Sequence, residues 1–381
     1  MSGQIKLKHA SGNGVIIAAP SSNPSSDKTI NLPSDETGVF ATKDSNDSLQ
    51  NISSINGGQL SNRNLIINGA MQVAQRGTSF TNITTALTYV VDRFFAANIL
   101  SSAVQTGTQE NDAPEGFYKS LKVTCTTADS DYSTNNQSKI EYRIEGTDIQ
   151  RLNFGTANAK TLAVSFYIKS NKTGNSAVGL VNNNNNRSFV HQFTIASANT
   201  WQRVSFTVAG DTTGSWPVES DNIGIRIRWG TFGTDFQTST LDAWQAGQKM
   251  ATSNSPINFN SAINDFLQIT GVQVEIGGVT DFEHLPISQT LALCQRYFET
   301  GNGLLLAAYS GGAFGGGITL NEFAVTKRAT PTITVTQGSG LGSQTASNVN
   351  TNTTYNVGVH WSGSATAGDY RAFTFTASAE L

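Results

Sequence analysis

Along this chain hydrophobic and polar residues alternate one by one in segment after segment, the period that turns successive β-strand side chains to opposite faces. "KTLAVSFYIKS" sets Leu162, Val164, Phe166 and Ile168 on one face and Ala163, Ser165, Tyr167 and Lys169 on the other. "KIEYRIEG" alternates Ile140, Tyr142 and Ile144 against Glu141, Arg143 and Glu145. "SFVHQFTIAS" aligns Phe189, His191, Phe193 and Ile195, and "WQRVSFTVAG" turns Val204, Phe206 and Val208 inward. "DNIGIRIRWG" sets Ile223, Ile225 and Ile227 against Arg226 and Arg228. Polar spacers such as "SNKTGNS" and the run Asn182–Asn186 separate these segments. Many short, half-buried strands spaced this way predict a mainly β chain, an antiparallel jelly-roll-like β-sandwich. No alternation of helical and strand patterns supports a parallel α/β fold.

Two local departures from the pattern carry information. In "FLQITGVQVEIGG", Leu267 and Ile269 fall out of phase with Val272, Val274 and Ile276. The phase changes at Gly271, which predicts a β-bulge there, because glycine adopts the backbone conformations that bulges need. In "ISQTLALCQRYFE", Ile287, Leu291, Cys294 and Phe298 recur at helical spacing, which predicts one helix with Ser288 as its N-cap after Pro286.

The pattern divides the chain into three parts. Residues 62–298 hold the sandwich. Residues 1–61 contain short β-prone pieces, "IKLKHASGNGVIIAAP" and "KTINLPSDETGVFATK", with too little apolar mass for a core of their own. Identical chains wound round a symmetry axis would bury them, so we expect an intertwined oligomerisation and attachment segment. Residues 299–381 alternate again in "EFAVTKRATPTITVTQ" and "DYRAFTFTASAE". They predict a small β domain that packs on a neighbour, since so short a piece leaves much of its surface exposed.

Composition narrows the function. A net charge of −3 from 13% charged residues is too mild and too sparse for capture of nucleic acid or an anionic membrane. The start "MSGQIKLKHASGNG" lacks the apolar core of a signal peptide, so we expect cytoplasmic assembly without membrane insertion. Two cysteines give no disulfide framework, and Cys125 shares phase with Leu121 and Val123 as a small core residue.

Candidate chemistry is thin. Glu275, Asp281, Glu283 and His284 crowd into "VEIGGVTDFEHL", yet no HxxxH or HExxH spacing gathers ligands on one helical face. We read them as trim on a strand and the turn after it. No cofactor is expected, although a single structural calcium ion held by loop carbonyls and a carboxylate is compatible with such a sandwich. No GxSxG motif, P-loop or repeat of about 20 to 30 residues occurs, so catalysis is the minority expectation. Sugar binding needs only an aromatic face and forked hydrogen-bonding side chains beside it. Trp216 lies in the turn "TTGSWPVESD", where an exposed indole would be unusual unless it binds, and Arg226 and Arg228 lie on the solvent face of a nearby strand. These three are the predicted carbohydrate contacts. Trp229 is expected in the core, Trp201 as a framework residue, Trp244 at core or rim, and Asn182–Asn186 as a polar loop tip.

Several words in order, "NLIINGAMQVAQRGTSF", "VDRFF", "TWQRVSFTV", "LDAWQAG", "ITGVQVEIG", "DFEHLPI" and "LALCQRYFE", resemble a domain of tailed-bacteriophage tail-fibre and related virion proteins. That resemblance spans about residues 62–298, with "FAVTKRATPTITV" similar to the segment that often follows. It implies a carbohydrate-binding-module-like sandwich without a defined set of ligand residues. It also implies a virion protein, most readily a homotrimeric tail fibre. Such a fibre would join other virion proteins through its N-terminal segment and bind host surface polysaccharide without cleaving it. A head or tail decoration protein and a glycan-cleaving tailspike are the alternatives.

Overall fold

The computed structural model describes residues 61–218, 222–306, 313–341, 345–364 and 369–381, together with four short strands nearer the N-terminus. Two compact units result, Met1–Ile52 and Ser53–Leu381. In the first, Gln4–Lys8 pairs antiparallel with Gly14–Ala18, and Thr42–Lys43 with Leu49–Gln50. The rest of the segment expected to drive oligomerisation lies outside the described residues.

In the second unit the alternating segments become strands of two antiparallel sheets. The strands are β1 (Ser79–Ile83), β2 (Thr88–Val91), β3 (Phe94–Ile99), β4 (Val104–Glu110), β5 (Ser120–Thr127), β6 (Gln137–Glu145) and β7 (Leu162–Ser170). They continue as β8 (Gly174–Asn182), β9 (Arg187–Ile195), β10 (Gln202–Val208), β11 (Ile223–Phe232), β12 (Trp244–Ala246) and β13 (Phe266–Ile276). One sheet runs β12-β9-β8-β11-β6-β3-β2 and the other β10-β7-β13-β5-β4-β1. One core lies between them. Ile140, Tyr142 and Ile144 of β6 and Ile225, Ile227 and Trp229 of β11 pack with Leu162, Val164, Phe166 and Ile168 of β7. The apolar half of each alternating segment is buried and its polar half turned outward, as the period requires.

The bulge falls where the phase changes. Ser165 pairs with Gln273 and Tyr167 with Thr270, so Gly271 and Val272 together face Phe166. Gly271 has φ +61°, and a Cβ there would lie 2.8 Å from the Phe117 ring and 2.9 Å from the Tyr167 ring. A side chain at this position is excluded twice, by conformation and by space. Through the bulge, Leu267 and Ile269 reach the same core as Val272 and Val274.

The helix α1 spans Ile287–Gln295. Its N-cap is Pro286 and no side chain caps it, which corrects the expectation for Ser288. The Pro286 carbonyl accepts from the amides of Gln289 and Thr290, so the first turn starts one residue before the serine can serve. Phe298 has left the helix and begins a strand.

Residues 298–378 form two three-stranded sheets: Phe298–Leu306, Tyr370–Ser378 and Thr332–Gly340 in one, Ala313–Glu322, Asn356–Ser364 and Thr345–Asn352 in the other. A separate core joins them, with Val357, Val359 and Trp361 against Phe373, Phe375 and Ala377. Arg93 fastens this part to the large sandwich. It is 2% exposed, pairs with Glu380, donates to the Arg143 carbonyl and lies 3.5 Å from the Tyr297 ring centre. Arg76 adds a second pin, 3.4 Å from the Phe298 ring centre and paired with Glu380 at 3.1 Å. Among the described residues no helix is long and apolar enough to cross a membrane.

Candidate functional site

Aromatic side chains that escape the core collect on the outer face of the six-stranded sheet. Tyr167 belongs to the polar half of β7 and therefore points away from the core. The loop before β5 lays Phe117 across the glycine gap at the bulge, 5.4 Å from the Tyr167 ring. Phe282 and His284, on the loop after β13, close on Phe117 at 5.0 and 5.2 Å. Phe117, Tyr167 and Phe282 are half-buried, His284 is exposed, and neighbouring Tyr118 is 65% exposed.

Hydrogen-bonding groups border these rings. Lys169 follows Tyr167 on the same face, and Trp201, the residue before β10, lies with its ring centre 5.7 Å from Lys169 Nζ. Asp112 joins the two, accepting from Lys169 Nζ at 2.6 Å and from Trp201 Nε1 at 3.2 Å. Burial alone would raise the Asp112 carboxyl, but the hydrogen bonds from Lys169 and Trp201 hold it below the ordinary carboxylate range. Its side chain keeps 49% of its exposure, so the ionised carboxylate also faces solvent. Arg203, exposed on β10, donates to the Thr280 carbonyl at 2.9 Å. The surface thus offers ring faces for apolar C–H groups and fixed polar groups of both signs within a residue or two. That is the chemistry of a sugar ring, apolar on its faces and hydroxylated round its rim.

The predicted contacts are elsewhere. Trp216 is 7% exposed; it packs edge-to-face on Phe154 and Trp244, and its Nε1 donates to the Thr213 carbonyl at 3.1 Å. This corrects the expectation of an exposed indole: the turn folds inward because Asp211 receives Arg187 Nε and Nη2 at 2.8 and 2.6 Å and holds the loop down. Arg226 and Arg228 do sit together on the outer face of the seven-stranded sheet. Arg228 is 3% exposed, with Nε 2.6 Å from Glu141 Oε2 and Nη1 2.8 Å from the Met250 sulfur. Arg226 donates to the carbonyls of Asn182 and Asn183 at 2.9 and 2.7 Å. The structure therefore unites the two arginines and leaves the tryptophan in the core. Trp229 is buried, and Trp244 packs against the core with Nε1 on the Ala209 carbonyl. Trp201, expected as framework, is half-buried at the edge of the aromatic surface.

The acidic stretch after β13 does structural work. Gln273 and Glu275 point outward by pattern, yet they are 0% and 2% exposed because the following loop folds back over them. Glu275 accepts from Thr280 N and Oγ1, and Gln273 donates to the Asp281 carbonyl. Glu283 Oε2 accepts the amides of Arg63 and Asn64 at 2.7 and 2.9 Å. Among the described residues no three His, Cys, Asp or Glu side chains form a metal-binding group. The cleft lined by Asn64, Asn68, Glu283 and His284 holds only about 30 Å³, room for about two water molecules.

No protein-family model and no curated protein matches the chain. Solved structures similar to it include the enzymatically active domain of tailspike protein 4 of bacteriophage CBA120, at 13% identity and TM-score 0.30 over 56% of this chain and 21% of that one. A family 4 carbohydrate-binding module matches at 13% identity and TM-score 0.28 over 55% of this chain and 97% of the module. A family 11 module from Clostridium thermocellum, solved with a mixed-linked tetrasaccharide, matches at 12% identity and TM-score 0.26 over 54% and 98%. The chain thus spans about a fifth of the tailspike domain's length.

Proposed function

We propose that this protein is a tail fibre of a tailed bacteriophage that binds host surface glycans without cleaving them. One observation carries the reading: half-exposed Phe117, Tyr167 and Trp201 lie on one rigid sheet face beside the ionised, half-exposed Asp112. A pyranose laid on these rings buries its apolar face while its hydroxyls meet Asp112, Lys169 and Arg203. The words shared with tail-fibre proteins support the virion setting. Residues 1–61 attach the fibre to the particle and assemble it as a homotrimer. Three copies of a weak site then act together, and avidity converts modest single-site affinity into firm adsorption.

Glycan-array binding of the wild type, Tyr167→Ala and Trp201→Ala tests the site, with circular dichroism to confirm folding. Loss of one stacking ring removes about 1–2 kcal/mol, so each variant should bind roughly tenfold more weakly. Unchanged binding by both variants refutes the site. Release of reducing sugar from a bound polysaccharide would make the protein a depolymerase instead. Sedimentation of the chain with and without residues 1–60 tests the trimer, since an unchanged oligomeric state on removal defeats that part of the proposal.

A further inference from the structure

The outer face of the other sheet carries a feature that neutral sugar binding does not use. Lys139, Glu141 and Arg143 alternate outward on β6, and β11 places Arg228 directly across from Glu141 and Arg226 directly across from Arg143. Glu141 is 0% exposed and both its oxygens are taken. Oε2 lies 2.6 Å from Arg228 Nε and 2.8 Å from Lys139 Nζ; Oε1 lies 2.8 Å from Arg143 Nε and 3.7 Å from Arg226 Nε. Four cations therefore share one carboxylate. Beyond Glu141, the main-chain oxygen that Arg143 meets at Leu381, the last residue, belongs to a carboxylate, while the Met250 sulfur on Arg228 and the Asn182 and Asn183 carbonyls on Arg226 are uncharged, so four cations still face only two anions.

The surplus has physical consequences. Like charges placed directly opposite on neighbouring strands repel, and Arg143 and Arg226 are such a pair. Burial, and then the nearby Arg228 charge, push the Lys139 ammonium down to about 8 and Arg226 down to about 10. The cluster is not sealed. The side chains of Arg143 and Arg226 keep 15% and 11% of their exposure. Among the described residues Arg143 Nη2 has no hydrogen-bond acceptor, and Arg226 Nη2 has only a 3.4 Å contact with Asn183 Oδ1. Two planar guanidinium groups side by side, each with an N–H edge left over, match the paired oxygens of a carboxylate, sulfate or phosphate. The Asn183 and Asn185 amides at the rim add neutral hydrogen-bonding groups suited to hydroxyls.

We propose that Arg143 and Arg226, backed by Lys139 and Arg228, form a second binding site that receives the anionic group of an acidic polysaccharide, a uronate carboxylate or a sulfate or phosphate ester. An oxyanion there supplies the counter-charge that Glu141 and the Leu381 carboxylate together leave wanting. The site lies on a different sheet from the aromatic surface and stands or falls independently of it.

The test uses the full chain and four probes: polygalacturonate, dextran sulfate, uncharged dextran, and a single-stranded oligonucleotide. Affinities are measured at low and at physiological salt. The two acidic polysaccharides should bind and weaken with salt, and their ranking separates carboxylate from sulfate ester as the preferred group. Arg143→Gln and Arg226→Gln should each lower that affinity roughly tenfold, as expected for a charge-assisted hydrogen bond. Arg143→Lys, which keeps the charge and loses the fork, should restore part of it. Because Arg226 also holds the Asn182–Asn183 turn, Arg143→Gln is the decisive variant if Arg226→Gln fails to fold. Binding of neutral host glycan through Tyr167 and Trp201 should not change in either variant. Equal binding of acidic and uncharged dextrans, or acidic binding unaltered in Arg143→Gln, overturns the proposal. An oligonucleotide that binds as tightly as the acidic polysaccharides overturns it as a glycan site. Acidic binding that survives loss of the aromatic rings supports the cluster even if the aromatic surface proves idle.

Discussion

Replacing Glu141 with glutamine keeps the shape of the side chain and deletes the charge that four cations share. The amide can donate where a carboxylate only accepted, so at least one of the contacts at 2.6, 2.8 and 2.8 Å becomes donor against donor. Removing one partner of a buried ion pair costs about 3–5 kcal/mol, because the other charge is left uncompensated. Lys139 limits its own share. Its folded pKa is already down from 10.5 to about 8, a penalty near 3 kcal/mol in the wild type at neutral pH. In the variant it can shed its proton, so at about pH 7 its penalty cannot exceed roughly 5 kcal/mol, the cost of discharging a lysine whose ordinary value is 10.5. Lys139 therefore accounts for no more than about 1–2 kcal/mol of the loss, and the arginines, which stay charged near pH 7, supply the rest. Urea unfolding followed by tryptophan fluorescence should show a deficit of about 3–5 kcal/mol near pH 7. The deficit should narrow by about 1 kcal/mol near pH 10, where Lys139 is neutral in both proteins. A loss below about 1 kcal/mol, or a deficit that widens with pH, would refute the charge accounting.

Other consequences follow from single residues. Trp216→Ala should destabilise the protein by about 3–5 kcal/mol, since it empties a core position against Phe154 and Trp244; a change under about 1 kcal/mol in the same urea experiment would place the indole outside the core. Gly271→Ala forces a Cβ between the Phe117 and Tyr167 rings at φ +61°. It should cost about 1–3 kcal/mol and also weaken glycan binding, which array binding and denaturation measure separately. The wild type should gain stability as pH rises from about 8 towards 10.5. In that window the unfolded chain holds the Lys139 proton and the folded chain has released it, so stability grows with pH. Lys139→Met should flatten that part of the profile.

The alternation exposed most of the fold because the period of two survives wherever one face of a strand is buried. Even the bulge was legible, as a phase slip at a glycine. What the pattern hides is coverage from elsewhere in the chain. Gln273 and Glu275 sit at outward positions, and the loop returning from Val279 to Glu283 covers them, with Arg63 also against Glu275. Trp216 has no periodic neighbours to announce its burial, which depends on the Arg187–Asp211 pair across 24 residues. The aromatic surface was half visible: Tyr167 stands among the polar residues of β7, an aromatic ring where solvent is expected. Phe117 and Tyr118 left no such signal, since they belong to an irregular loop without a period. Arg226 and Arg228 were placed on the correct face from alternation, but their cross-strand partner Glu141 depends on register, which one strand's sequence does not contain.

The clasp between the two ends of the large sandwich bears on how it would carry tension. Arg63 and Asn64 hang by their amides from Glu283, Leu65 donates to the Val274 carbonyl at 2.8 Å, and Val272 donates back to Gly69 at 3.0 Å. The polypeptide thus comes in and goes out at neighbouring points beside β13. A pull applied between residue 61 and the helix at Ile287 would load these few bonds first and pass through Val272 and Val274 into β13. A particle tugged by flow would then test the clasp before the strand pairs on either side of β13, whose longer ladders share the remaining load.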